Sequence, residues 1–172
     1  YSFNYSAKKR LMREMPNVKH LVDLNFLEDP FKHNWTQALE GKRVLVINPF
    51  AKSIEMQCEK RELIGILPRV KEISIMKPVV SYCEPGQEYD WFGSLEEMKA
   101  DVESRDFDVA LIGCSLYGLP LAAHIKQLGK QAIVMGGVVQ LYFGVKGRRW
   151  VENPMYKGRF NEHWIFPLEE DI

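Results

Sequence analysis

The chain has no surplus of charge of either sign. Its 23 lysines and arginines are matched by 23 aspartates and glutamates, for a formal net charge of zero at pH 7, so the balance points to neither nucleic acid nor an anionic membrane as a partner. No apolar run reaches the roughly 18 residues of a membrane span, and no signal peptide is visible. Cysteine is scarce: Cys58, Cys83 and Cys114 are scattered, odd in number and in no C-x-x-C pair, which argues against a disulfide framework and sets the expectation of a reduced, cytoplasmic compartment. The four histidines, His20, His33, His124 and His163, lack a ligand spacing such as H-E-x-x-H, so no histidine metal site is expected. Internal repeats and low-complexity segments are also missing.

What is present is an alternation of apolar strands and helical stretches over 172 residues, enough chain for one domain with a substantial core. RVLVI, Arg43 to Ile47, is a near-continuous apolar run and predicts a strand buried on both faces of a parallel sheet. Lys71 to Met76 alternates and predicts an edge or half-exposed strand. Asp108 to Ile112 and Gln131 to Met135 complete four. Between them the sequence predicts a short helix from Trp35 to Glu40 capped by Asn34, a helix from Ile54 to Ile66, one capped by Ser94 with Glu97 in a capping box, and one from Leu119 or Pro120 to Leu128 closed by Gly129. The expected fold class is α/β: a Rossmann-like three-layer sandwich with a mostly parallel sheet of at least four strands. Residues 1–34 read as a helical or irregular N-terminal segment, 35–150 as the core, and 151–172 as a tail that packs on it and ends in a solvated acidic stretch, Glu169 to Asp171.

The chemistry-bearing residues concentrate between Asp106 and Trp150. Gly113-x-Ser115-x-x-Gly118 follows the third strand and opens a helix, where unpaired N–H groups and the positive dipole end suit an anion. The spacing is the dinucleotide fingerprint with serine for its middle glycine. Serine crowds the approach of a pyrophosphate while adding a hydroxyl, and no acidic residue stands at the end of the next strand to hold a ribose, so NAD is disfavoured. A nucleophile elbow fails because Tyr117 occupies its last glycine position. After the fourth strand, Gly136 and Gly137 permit positive φ and a backbone cradle, with Gln140 one turn later. Lys146, Arg148 and Arg149 then offer cationic forks for a diphosphate and Trp150 a face for a base or sugar ring. At the end of the first strand, Asn48, Lys52 and Ser53 are further contact candidates, Ser53 having the alternative role of helix cap. The loop from Pro78 to Trp91 carries Glu88 and Asp90, weak candidates for metal binding or general-base work beside the simpler reading of two solvated acids. The turns equally admit a plain packing role, and the cations a plain basic loop.

The stretch IGCSLYGLPLAAHIKQLGKQAIVMGG followed by LYFGVKGRRW, with GKRVLVINPFAKSI earlier, resembles proteins of bacterial surface-polysaccharide gene clusters that carry a GT-D-fold-like domain, a glycosyltransferase fold with a Rossmann-like core. The likeness runs from about Trp35 to Pro167, including the N-E-x-W-x-x-P stretch from Asn161. It implies a nucleotide-diphosphate sugar as ligand, held by Ser115, Tyr117, Gly118, Gly137, Gln140 and the Lys146–Arg149 cations, with Mn²⁺ or Mg²⁺ if the protein is active. In GT-D glycosyltransferases an acidic D-x-E type motif in the N-terminal part binds metal and donor, and no such stretch precedes Trp35. Since the chain also opens on Tyr1 and not Met, it reads as the C-terminal portion of a longer enzyme, or as a noncatalytic binding or assembly module working with other polysaccharide-synthesis proteins.

Overall fold

The computed structural model describes residues 13, 29–32, 34–80 and 90–172. Four strands, β1 (Arg43–Ile47), β2 (Glu72–Met76), β3 (Val109–Ile112) and β4 (Gln131–Val134), form one sheet in the order β2-β1-β3-β4. Every pairing is parallel, with Ile47 opposite both Met76 and Ile112, and Ile112 opposite Val134. All four strands therefore end on one edge. The expected α/β sandwich is present, with its sheet wholly parallel.

Alternation along the two central strands builds both faces. Val44, Val46, Val109 and Leu111 enter one cluster, which contains Ile54 of α1 (Ala51–Cys58), Ile64 of α2 (Arg61–Ile64) and Val139 and Leu141 of α5 (Val139–Tyr142). Leu45, Ile47, Ala110 and Ile112 enter the other, against Leu95, Met98 and Val102 of α3 (Trp91–Glu103) and Leu121 and Ile125 of α4 (Gly118–Gln127). Each fully buried leucine or isoleucine contributes about 1.5–3 kcal/mol. The tail adds Tyr156 and Trp164 to the first cluster and a parallel bridge between Val145 and Ile165; α6 (Arg148–Val151) precedes it. Tyr156, Trp164 and the packed Phe160 thus close the α1 face.

Four helix starts differ from their expected places: the first helix is a 3₁₀ turn over Asn34–Leu39 that contains its expected cap, α4 opens at Gly118, and α3 and α1 both begin early. α3 begins at Trp91 because Asp90 caps it, its carboxylate accepting from Gly93 N at 3.0 Å; starting there stacks Trp91 on Tyr117, rings 5.4 Å apart. Ser94 lies inside the first turn. α1 begins at Ala51, since Asn48 Oδ1 accepts from Phe50 N at 2.9 Å and turns the chain early, and the helix breaks into α1 and α2 rather than running unbroken to Ile66.

At the opposite edge, Arg43 donates to Asp108 through its backbone N–H at 2.8 Å and its guanidinium at 2.7 Å, and also pairs with Asp106. Those hydrogen bonds hold the Asp108 carboxyl well below its ordinary value of 3.8 and raise Arg43. A depressed carboxyl stabilises the fold above its unfolded-state pKa and loses that contribution as pH falls through the folded one. Asp108→Asn is therefore expected to be less stable than the parent by a constant margin at neutral pH. The margin should shrink below about pH 4; urea midpoints across pH 2–7 check this, and a margin that grows on acidification would refute it.

Candidate functional site

The chain leaves β1 in one direction to β2 and returns to β3 on the other side, so the sheet's switch point lies between the ends of β1 and β3. In open parallel sheets ligands bind in the crevice outside that point. A cleft of about 450 Å³ lies there, lined by Pro49 after β1, Pro78, Val79 and Val80 after β2, Trp91 and Tyr117, the Gly113–Leu116 turn after β3, and Gly136 and Gly137 after β4. Of the sequence candidates, Gly113, Ser115, Tyr117, Gly136 and Gly137 come together here. The apolar wall of Pro49, Pro78, Val79 and Trp91 was not foreseen; the signal available was its position directly after each strand or before α3.

Each turn has its own physical reason. A Cβ on Gly113 would lie 2.6 Å from the Gly136 carbonyl oxygen and 2.7 Å from Asn48 Nδ2, so the glycine lets the β1, β3 and β4 turns pack against one another. Asn48 is buried and acts as a spacer in that packing. Gly118 faces Val134 at 3.1 Å, which makes it a helix–strand packing glycine behind the cleft and not a ligand contact. Gly136 takes φ 61°. Cys114, buried between Gly113 and Ser115, has its thiol pushed up to about 12 by burial, so it stays neutral and is no nucleophile.

Gly137 has a different neighbour. The Arg149 guanidinium, the far end of an exposed side chain, occupies the space that a Cβ on Gly137 would fill, and stacks 4.1 Å from the Trp150 ring. Arg148 and Arg149 are exposed and Lys146 half-buried; among the described residues no carboxylate pairs with any of the three. Trp150 itself is 8 % exposed and meets Tyr156 edge-on at 5.5 Å, so it anchors the basic segment to the core instead of offering a face to a ring. Gln140 is also withdrawn: it is buried and donates to the Val145 carbonyl at 3.0 Å.

No match to this chain is found among protein-family models, curated proteins or solved structures.

The β1 end is closed by an internal anion. Asp171, its side chain fully buried, accepts from Ser53 N at 2.7 Å, Ser53 Oγ at 2.6 Å and Lys52 N at 3.2 Å, and Lys77 Nζ approaches it at 3.9 Å. Ser53 Oγ in turn accepts from Leu168 N at 2.9 Å. The start of α1, where a phosphate would sit in a dinucleotide fold, is filled by the chain's own carboxylate. This corrects three expectations: Ser53 is neither a ligand contact nor the helix cap, and Asp171 is not solvated. The Lys52 ammonium points away, to Glu55 at 3.2 Å. Of the two acids before α3, Asp90 is engaged as the cap and Glu88 lies outside the described residues. Among the described residues no group of three His, Cys, Asp or Glu is placed to hold a metal ion, and no helix is long and apolar enough to cross a membrane.

Proposed function

We propose that this chain binds a nucleotide-diphosphate sugar at the switch-point cleft and serves glycosyl transfer in surface-polysaccharide synthesis. The observation that carries the reading is the Arg149 guanidinium, free of any described carboxylate, lying against Gly137 at the rim of a cleft walled by Trp91, Tyr117 and prolines. An arginine fork and glycine N–H groups suit a diphosphate, and an aromatic and aliphatic wall suits a base or sugar ring. With Asp171 in the β1 position, the diphosphate goes to the β4 side. Mn²⁺ or Mg²⁺ would accompany it.

The chemistry of transfer needs acids that this cleft does not hold among the described residues, because Asp90 is bonded to Gly93. That favours a second reading, a noncatalytic binding module that presents the nucleotide sugar to acids on a partner polypeptide. Donor turnover with Mn²⁺ separates the two.

Thermal shifts with UDP-, GDP- and dTDP-sugars, with and without Mn²⁺, test the binding. A ligand at 100 times its dissociation constant adds ~2.7 kcal/mol of stability, while a CMP-sugar, with its single phosphate, is expected to shift less. Arg149→Ala should weaken binding about tenfold or more and leave the ligand-free melting temperature near that of the parent. Absence of a shift with every nucleotide sugar would sink the reading.

A further inference from the structure

Ser115 is the only residue other than glycine with a positive φ, 51°, among the described residues. A left-handed conformation is strained for an L residue with a side chain and is concentrated at functional sites. The setting sharpens the point. Gly113 and Gly118, the outer glycines of the G-x-S-x-x-G run, have ordinary φ and are glycine for lack of space against Gly136, Asn48 and Val134. The middle position, whose backbone conformation is the one that favours glycine, holds serine. Local bonding does not account for it: the side chain is exposed at the cleft, and its hydroxyl has no hydrogen-bond partner among the described residues.

We propose that Ser115 is a ligand-binding residue of the cleft. Its hydroxyl donates to an oxygen of the nucleotide-sugar ligand, an inference that rests on the nucleotide-sugar reading above.

Calorimetric titration of the parent, Ser115→Ala, Ser115→Gly and Arg149→Ala with UDP-glucose, GDP-mannose and dTDP-glucose decides it. The parent should bind a nucleotide sugar. Ser115→Ala should weaken it about tenfold, the loss of one hydrogen bond. Ser115→Gly should lose the same contact and yet melt no lower than the parent, since its backbone is relaxed at this φ. If both serine variants keep the parent's nucleotide-sugar affinity within about twofold while Arg149→Ala loses it, the hydroxyl role is overturned and the reading of the cleft stands. If the parent binds no nucleotide sugar, that reading and the hydroxyl role fall together.

Discussion

Gly144→Ala is expected to lower the unfolding free energy by about 2–5 kcal/mol, the sum of a left-handed alanine and an overpacked core. Gly144 has φ 70°, and a Cβ there would stand 2.5 Å from Ile64 Cδ1 and 2.8 Å from Gln57 Nε2. Gln57 cannot yield, because its Nε2 donates to the carbonyls of Gly144 at 3.0 Å and His163 at 2.9 Å, tying α1 to the tail. Gly65 supplies the control. It shares the conformation, φ 74°, with nothing within 4 Å of its missing Cβ, so Gly65→Ala should lose only the backbone part, about 1–2 kcal/mol. Urea midpoints at constant m-value compare the two. Equal losses would show that the packing around Gly144 relaxes freely.

Asp171→Ala is expected to cost about 3–5 kcal/mol, because it leaves the Ser53 hydroxyl and two N–H groups at the start of α1 without their acceptor in a place closed to water. Asp171→Asn keeps the shape and one acceptor oxygen and should fall between. Ser53→Ala removes the 2.6 Å partner and the acceptor of Leu168 N, so the double variant should lose less than the sum of the singles, with a coupling of about 1–3 kcal/mol. Additive losses would mean that the two side chains act separately. The same variant bears on the cleft: with the carboxylate gone, the α1 start is open to a phosphate, and a nucleotide whose affinity rises in Asp171→Ala would locate its phosphate there.

The strands were legible because each fits a simple pattern. RVLVI and VALI are apolar at every position that two covered faces require, and the alternation of EISIM marks the edge strand that β2 is. The glycine turns of the cleft were legible for the same local reason, as residues standing where parallel strands stop. What escaped was set by distant contacts. Ser53 looks like a helix cap from its neighbours, and a terminal Glu-Glu-Asp looks solvated; that one carboxylate crosses 118 residues of sequence to meet the other is invisible to any local rule. Asp90 and Ser94 are both good caps four residues apart, and the choice fell to Asp90 because an earlier start stacks Trp91 on Tyr117. Trp150, beside two arginines, has the sequence of a stacking platform, yet Tyr156 six residues on draws it inward. Of the three cations of that segment, only Arg149 is tied by geometry to a cleft glycine.

The stack of Trp91 on Tyr117 also gives the protein an optical handle. Of the four tryptophans, Trp150 and Trp164 are buried, and Trp35 donates to the Tyr142 hydroxyl at 3.0 Å beside the β4 edge. Trp91 alone lines the switch-point cleft. A ligand entering that cleft changes the surroundings of the Trp91 indole directly, so emission at the tryptophan band reports occupancy of this site without a label. A Trp91→Phe protein, which keeps a ring on Tyr117, loses that part of the response to the same ligand, leaving what reaches Trp150 through the stacked Arg149.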